Sequence, residues 1–470
     1  MRVERTAHRL LGACLVLLAL CHAEADAAGA PNIVYILADD LGWKDVGFHG
    51  GKAQTPNLDH LAQSGVRLEK FYTLPNSTPT RAALLTGRYP MRYGLQTLSI
   101  LAWSSYGLPV DERLLPQALK EAGYRTAAFG KWQLGHARRD YWPTQRGFDY
   151  FYGCLNGDVD HFKKIDRLGR HDWQRNERSL RDQGYDVTII AKDAADYISG
   201  HDASEPLFLY VSLPAPSAPL QAPRAILERY RNVAPEERRV YYAMITALDD
   251  AVGTIVSALE KKGLWENTVL VFHSDNGGAV RHKYATGDGD VPKSVSDNGP
   301  FLGGAGELHE GGVRVAAFAV APGRIEPGVV TERIHVTDLY PTLIRLAGGK
   351  LEQTKPIDGL DVWPVIAEGA PSPRKEMLID VEEFRGAISV GNWKLIVYGP
   401  LPVRYELYNV QDDPSEEDNH AEREPQKLQE LLSRLNEFAW EMSPSLYLAD
   451  LARAHKYDTP MFWGENPNRP

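Results

Sequence analysis

Pro31-Asn32-Ile33-Val34-Tyr35-Ile36-Leu37-Ala38-Asp39-Asp40 is the stretch that decides the fold. Seven residues in a row are apolar or nearly so, and two carboxylates then end the run. An amphipathic strand alternates, whereas a strand covered on both faces does not. The stretch therefore predicts a central strand of an α/β sheet with an acidic pair at its C-terminal end. Thr268-Val269-Leu270-Val271-Phe272 repeats the pattern and leads into Ser274-Asp275-Asn276-Gly277-Gly278. Leu207-Phe208-Leu209-Tyr210-Val211 is a third such run, ahead of a Pro-rich loop. Helical periodicity lies between them, as at 114–123 and 240–262. Strands alternating with helices predict a large, mostly parallel or mixed sheet flanked by helices. Open sheets of this kind bind ligands at the C-terminal ends of their strands, which is where both acidic motifs fall.

The chain has 470 residues, of which 43% are hydrophobic and 24% charged. That is an ordinary globular composition, so disorder is excluded as the main state. Net charge is −10, which argues against a nucleic-acid partner or an anionic membrane surface. Residues 1–27 read as a signal peptide. Arg2, Arg5 and Arg9 precede a short apolar run, and Ala25-Asp26-Ala27 offers a cleavage site. The expected location is therefore periplasmic or secreted, and no later run is expected to be long and apolar enough to span a membrane. Cleavage would remove Cys14 and Cys21 and leave Cys154 as the one thiol. Near residue 350 the pattern changes. Residues 28–374 are expected to form the main α/β domain. Residues 375–470 are expected to form a smaller α+β subdomain, with short strands at 387–390, 393–398 and 405–410 and a helix at 426–440.

Either acidic motif alone suits a turn or a helix cap. Together, Asp39, Asp40, Asp275 and Asn276 offer four oxygen ligands from two strand ends. That set suits a hard cation, Ca²⁺ or Mg²⁺. Ser77-Thr78-Pro79-Thr80-Arg81-Ala82-Ala83-Leu84-Leu85-Thr86-Gly87-Arg88 places a hydroxyl at a predicted helix N-terminus, in a field that favours anions. Arg81 follows four residues on, along the same helix face.

Residues 77–88 resemble the sulfatase signature in its serine-type form. Further family motifs follow in order: Ala38-Asp39-Asp40-Leu41-Gly42-Trp43, Thr55-Pro56-Asn57-Leu58-Asp59, Gly130-Lys131-Trp132, Arg146-Gly147-Phe148-Asp149, Ser274-Asp275-Asn276-Gly277-Gly278 and Glu310-Gly311-Gly312-Val313-Arg314. Residues 92–96 and 108–112 look most like the arylsulfatase B branch, whose members act on N-acetylgalactosamine 4-sulfate. The resemblance implies an alkaline-phosphatase-like sandwich and hydrolysis of a sulfated sugar or aryl sulfate. It also implies Ca²⁺ on Asp39, Asp40, Asp275 and Asn276, and Ser77 as the precursor of formylglycine, made by a maturase. Arg81 and Lys131 are similar to the residues that hold the nucleophile and the metal-site carboxylates.

Three positions depart from the family pattern. Gln133 and Ser217 replace two histidines that handle protons and sulfate, and Ala305 replaces a sulfate-binding lysine. A general acid or base is worth roughly 10²–10⁴ in rate. The substitutions therefore raise an alternative, a repurposed or non-catalytic protein on the same fold. His136, His273 and His309 stand beside these motifs as candidates for relocated acid–base groups.

Overall fold

The computed structural model describes residues 29–280, 295–399 and 401–453. The expected leader, 1–27, lies outside them. The first ten strands are β1 (Asn32–Ala38), β2 (Val66–Tyr72), β3 (Arg125–Lys131), β4 (Tyr150–Cys154), β5 (Gln174–Arg175), β6 (Arg178–Ser179), β7 (Leu207–Ser212), β8 (Thr268–Ser274), β9 (Ala317–Val320) and β10 (Gly328–His335). They form one sheet in the order β10-β2-β9-β8-β1-β7-β3-β4-β5-β6. β1 runs parallel to both neighbours, β7 and β8. β9 is antiparallel to β2 and β8, so the sheet is mixed.

The opening stretch does what its apolarity demands. Ile33, Tyr35 and Leu37 of β1 enter one hydrophobic core, and Val34, Ile36 and Ala38 enter another. Helices Pro56–Ser64, Asp186–Gly200 and Glu236–Lys262 cover the second face. Helices Ser77–Thr86, Leu115–Glu121 and Leu339–Leu346 cover the first. Burying each large apolar side chain is worth about 1.5–3 kcal/mol at most, so a strand with two buried faces is strongly held in register.

Helix Glu236–Lys262 corrects one expectation. Its 27 residues are long and apolar enough to cross a membrane. Its apolarity comes instead from packing inside the protein, between helices Pro56–Ser64 and Asp186–Gly200, with Tyr241, Met244, Leu248 and Ile255 buried.

The remaining strands, β11 (Glu376–Val381), β12 (Arg385–Val390), β13 (Trp393–Tyr398) and β14 (Arg404–Asn409), form a separate antiparallel sheet. One face packs Leu378, Ile388, Leu395 and Leu407 against helix Pro425–Trp440. The other packs Met377, Ala387, Ile396 and Tyr408 against Tyr72, Leu308 and Val313. β11 escaped the sequence reading. Its pattern is broken by Asp380, which is buried with both carboxyl oxygens lacking a hydrogen-bond partner. Burial pushes this carboxyl far up, against the pull of nearby Arg385.

A buried ion cluster joins the two sheets. Lys394 Nζ on β13 lies 3.0 Å from Glu310 Oε1 and 2.9 Å from Glu416 Oε1. The Tyr72 hydroxyl donates to Glu310 Oε2 at 2.7 Å, and Glu416 Oε2 accepts the Glu310 N–H at 2.6 Å. Arg314 Nη1 stands 3.7 Å from Glu310 Oε2, but Lys394 alone contacts both carboxylates, and removing it would leave them facing each other while buried. Lys394→Met should therefore cost on the order of 3 kcal/mol, read as a lower urea midpoint at unchanged m-value.

Candidate active site

The register of β1 with β8 pairs Ala38 with Ser274, so both strands end at the same level. The chain then turns, with Asp40 in the left-handed region at φ 59°. The Asp40 N–H donates to Asp275 Oδ1 at 3.1 Å, and the Asp275 N–H donates to the Ala38 carbonyl at 3.0 Å. Leu41 N–H donates to Ser274 Oγ at 2.9 Å, and Asn276 Nδ2 to Asp40 Oδ1 at 2.6 Å. Asp39, Asp40 and Asp275 thus present carboxylate oxygens within 4.8 Å of one another, all buried. Among the described residues this is the one such cluster of His, Cys, Asp or Glu.

Three carboxylates so close repel one another, and buried charge must be countered. Burial, with help from Asp275 and Asp40, pushes Asp39 up to about 7 against the pull of Lys131. Asp275 is held below the usual carboxylate range because Arg81 and Lys131 outweigh its own burial. Lys131 Nζ donates to both oxygens of Asp39, at 2.8 and 2.7 Å. Arg81 Nη2 donates to Asp275 Oδ2 at 2.9 Å and lies 3.8 Å from Asp39 Oδ1. Its Nη1 reaches Ser212 Oγ, the Lys131 carbonyl at 3.3 Å and the Tyr210 hydroxyl at 3.4 Å. The donor set is all oxygen, anionic and buried, which fits a hard divalent cation and not a soft one.

Ser77 opens helix Ser77–Thr86, every residue of which is buried. Its Oγ lies 3.4 Å from Asp39 Oδ1 and 3.3 Å from Asn276 Oδ1. Thr78 Oγ1 donates to the Gln133 carbonyl at 2.8 Å and accepts the Ile100 N–H at 2.9 Å, which fixes the first turn. The structure therefore brings together Ser77, Arg81, Lys131, Asp39, Asp40, Asp275 and Asn276.

The substituted positions have separate fates. Ser217 stays in the cluster's periphery and donates from Oγ to Asp40 Oδ2 at 2.7 Å. Gln133 is buried at φ 52°, with Nε2 near the Ile100 carbonyl at 3.4 Å and Oε1 unpartnered. Ala305 is half-buried, its N–H bonded to the Gly278 carbonyl at 3.1 Å.

The three candidate histidines are occupied elsewhere. His273 points into the core beneath the cluster. Its Nε2 pairs with the Tyr35 hydroxyl at 2.5 Å and its Nδ1 with the Ser274 carbonyl at 2.6 Å. Those partners suit the neutral ring with its proton on Nδ1. His309, just before helix Glu310–Val313, pairs through Nε2 with Glu406 Oε2 of β14 at 2.8 Å, which ties it to the second sheet. His136 is buried, and burial with nearby Arg170 pushes it down to about 3, so it is neutral. Cys154 is buried too, and burial raises its thiol well above the ordinary value. A residue the sequence did not mark, His161, bonds the Ser217 carbonyl at 3.1 Å. No motif or fixed spacing connects positions 161 and 217.

The strand-end oxygen cluster facing a helix-borne hydroxyl, on this mixed sheet with a second antiparallel sheet, places the protein in the alkaline-phosphatase superfamily. The sulfatase family profile matches residues 31–349, and the chain belongs to the sulfatase family. It is 35% identical to mouse (Mus musculus) arylsulfatase J over 90% of this chain and 78% of that protein. It is 36% identical to mouse N-acetylgalactosamine-6-sulfatase over 81% of this chain and 74% of that protein. The solved structure of Ps i-CgsB in complex with k-i-k-neocarrahexaose superposes with a TM-score of 0.80 at 29% identity, covering 92% of this chain and 99% of that one. The protein is therefore an enzyme of the sulfuric ester hydrolase type.

The buried His273 has a consequence for acid stability. Burial pushes it down to about 4, although the Ser274 carbonyl pulls the other way. The unfolded ring titrates near its ordinary 6.5. Between those values the unfolded chain takes up a proton that the folded chain refuses. Stability is thus complete above pH 6.5 and falls as pH drops toward 4. About 2 kcal/mol should be lost from this ring between pH 7.5 and pH 5. Urea unfolding at the two pH values checks it, and His273→Gln should flatten the slope.

Proposed function

We propose that the enzyme hydrolyses a sulfate ester on a sulfated saccharide through Ser77, with Ca²⁺, or Mg²⁺ in its place, held by Asp39, Asp40, Asp275 and Asn276. The observation that carries this reading is the Ser77 hydroxyl, at a buried helix N-terminus and within 3.4 Å of two members of an all-oxygen cluster. A cation there, when bound, supplies Lewis-acid polarisation of sulfate oxygens. Ser77, once oxidised to formylglycine by a maturase, supplies a hydrated aldehyde as nucleophile. The sugar specificity of the proposal follows the names of the relatives, N-acetylgalactosamine-6-sulfatase among them.

The chain's own residues do the rest. The helix N-terminus gives a positive field for the anionic ester. Lys131 donates to both oxygens of Asp39 and counters part of the burial that raises it. Arg81 fixes Asp275 and closes the floor of the site. Ser217 holds Asp40 in place from the other side. No side chain at positions 133 or 217 can exchange a proton near neutral pH. That favours, as a second reading, transfer chemistry on another anionic ester by the same metal half of the site.

Two measurements on protein from its native host separate the readings. Mass spectrometry of the tryptic peptide 71–81 should show Ser77 two hydrogens lighter. Sulfate release from sulfated galactosamine oligosaccharides should vanish in Ser77→Ala and on chelation, and return with Ca²⁺. An unmodified Ser77 with no sulfate release would sink the first reading in favour of the second. Where Ser77 is oxidised, restoring Gln133→His, Ser217→His and Ala305→Lys together should raise aryl sulfate hydrolysis by about 10²-fold or more.

A further inference from the structure

His161 is 1% exposed and sits between the metal cluster and helix Asp186–Gly200. Its Nδ1 lies 2.8 Å from Asp186 Oδ2, and its Nε2 lies 3.1 Å from the Ser217 carbonyl oxygen. A carboxylate and a carbonyl only accept hydrogen bonds. A neutral imidazole has a single N–H and serves only one of them. Both contacts are satisfied at once by the doubly protonated ring. Asp186 Oδ1 meanwhile accepts the Val187 N–H at 2.7 Å, so this carboxylate acts as an acceptor through both oxygens.

The residue is also held through its main chain and by one neighbouring ring. The His161 N–H donates to Gln221 Oε1 at 3.0 Å, and its carbonyl accepts from the Asp186 N–H at 2.9 Å and from Lys164 Nζ at 3.0 Å. The Tyr185 ring packs alongside, 5.4 Å between centroids. Beyond Ser217 the line continues to a proposed metal ligand, because Ser217 Oγ donates to Asp40 Oδ2 at 2.7 Å. Asp186, His161, Ser217 and Asp40 thus form one connected series. Burial opposes a charge on the ring, but the Asp186 carboxylate outweighs it, with Asp39 adding across the site, and the ring is held above its ordinary value.

We propose that His161 is a buried imidazolium that positions Ser217 against Asp40 and supplies fixed positive charge behind the site, where Gln133, Ser217 and Ala305 supply none. It touches neither substrate nor metal, so it is a positioning residue. The charge itself follows from the two acceptors; its effect on ligands rests on the metal centre proposed above. That effect has opposite signs for the two ligands. A positive charge repels a cation on the carboxylate cluster and attracts a sulfate beside it.

Histidine-selective ¹⁵N NMR of the full chain tests the charge directly. The His161 resonances, assigned by their absence in His161→Gln or their shift in Asp186→Asn, should show both ring nitrogens protonated from pH 6 to pH 8. A ring carrying one proton at pH 7.5 overturns the proposal. Calorimetric titration tests the effect. His161→Gln keeps a donor toward the Ser217 carbonyl and removes the charge. It should bind Ca²⁺ about 2–10-fold more tightly and inorganic sulfate weaker by a similar factor. Loss of both affinities together, as for a purely structural prop, overturns the proposal, and so does no change in either. Absence of Ca²⁺ binding to the unaltered protein would defeat the metal reading, while the NMR result would still decide the imidazolium.

Discussion

Everything at the site depends on one pairing, the parallel register that sets Ala38 beside Ser274. A shift of one residue would turn every side chain of β1 to the opposite core. It would also separate Asp39 and Asp40 from Asp275 and Asn276. The register is secured by burial on both faces of β1, and its cost is concentrated at the strand ends. Three buried carboxylates meet there. Arg81 and Lys131 are the direct answer to that cost. Each is buried, with Lys131 Nζ and both terminal nitrogens of Arg81 bonded to the cluster or to the strands beneath it.

That arrangement gives the cations two duties. They balance charge so that the protein can fold around the site, and they leave net negative charge for a divalent ion to complete. The bare cluster has three acidic groups against two cations in contact with it among the described residues. The remaining imbalance is the physical reason a metal fits, independent of any family comparison. The second sheet contributes at a distance. Its Lys394 pins Glu310, and with it the chain just after Ala305.

Much of this was legible in the sequence, for identifiable reasons. β1, β7 and β8 are buried on both faces, so their apolar runs are unbroken. Their acidic ends fall where open sheets bind ligands. Sulfatase-like motifs sit at residues whose main chain or side chain is fixed by the cluster, as with Lys131 and Ser77. Other features were hidden because neighbours in space, not in sequence, decide them. Asp380 breaks the apolar pattern of β11, although its neighbours in space bury it. Helix Glu236–Lys262 looks like a membrane helix because helices wrap it on two sides. His273 and His309 lie next to motifs, yet strand alternation sends one into the core and the second sheet claims the other. His161 matters through Ser217, fifty-six positions away.

The two halves of the site are also held by different kinds of structure. The oxygen cluster, Arg81 and Lys131 sit at strand ends or on a wholly buried helix, where a changed side chain disturbs the core. Gln133, Ser217 and Ala305 lie on connections between elements, where the N–H groups of Gln133 and Ala305 bond to main-chain carbonyls and the Ser217 carbonyl is bonded by His161. Side chains there can be exchanged without loosening the sheet. The scaffold therefore separates what can drift from what cannot. Over evolutionary time such a protein can change the reaction it favours while its charged floor stays the same, so new chemistry is reached by editing the rim and not by rebuilding the fold.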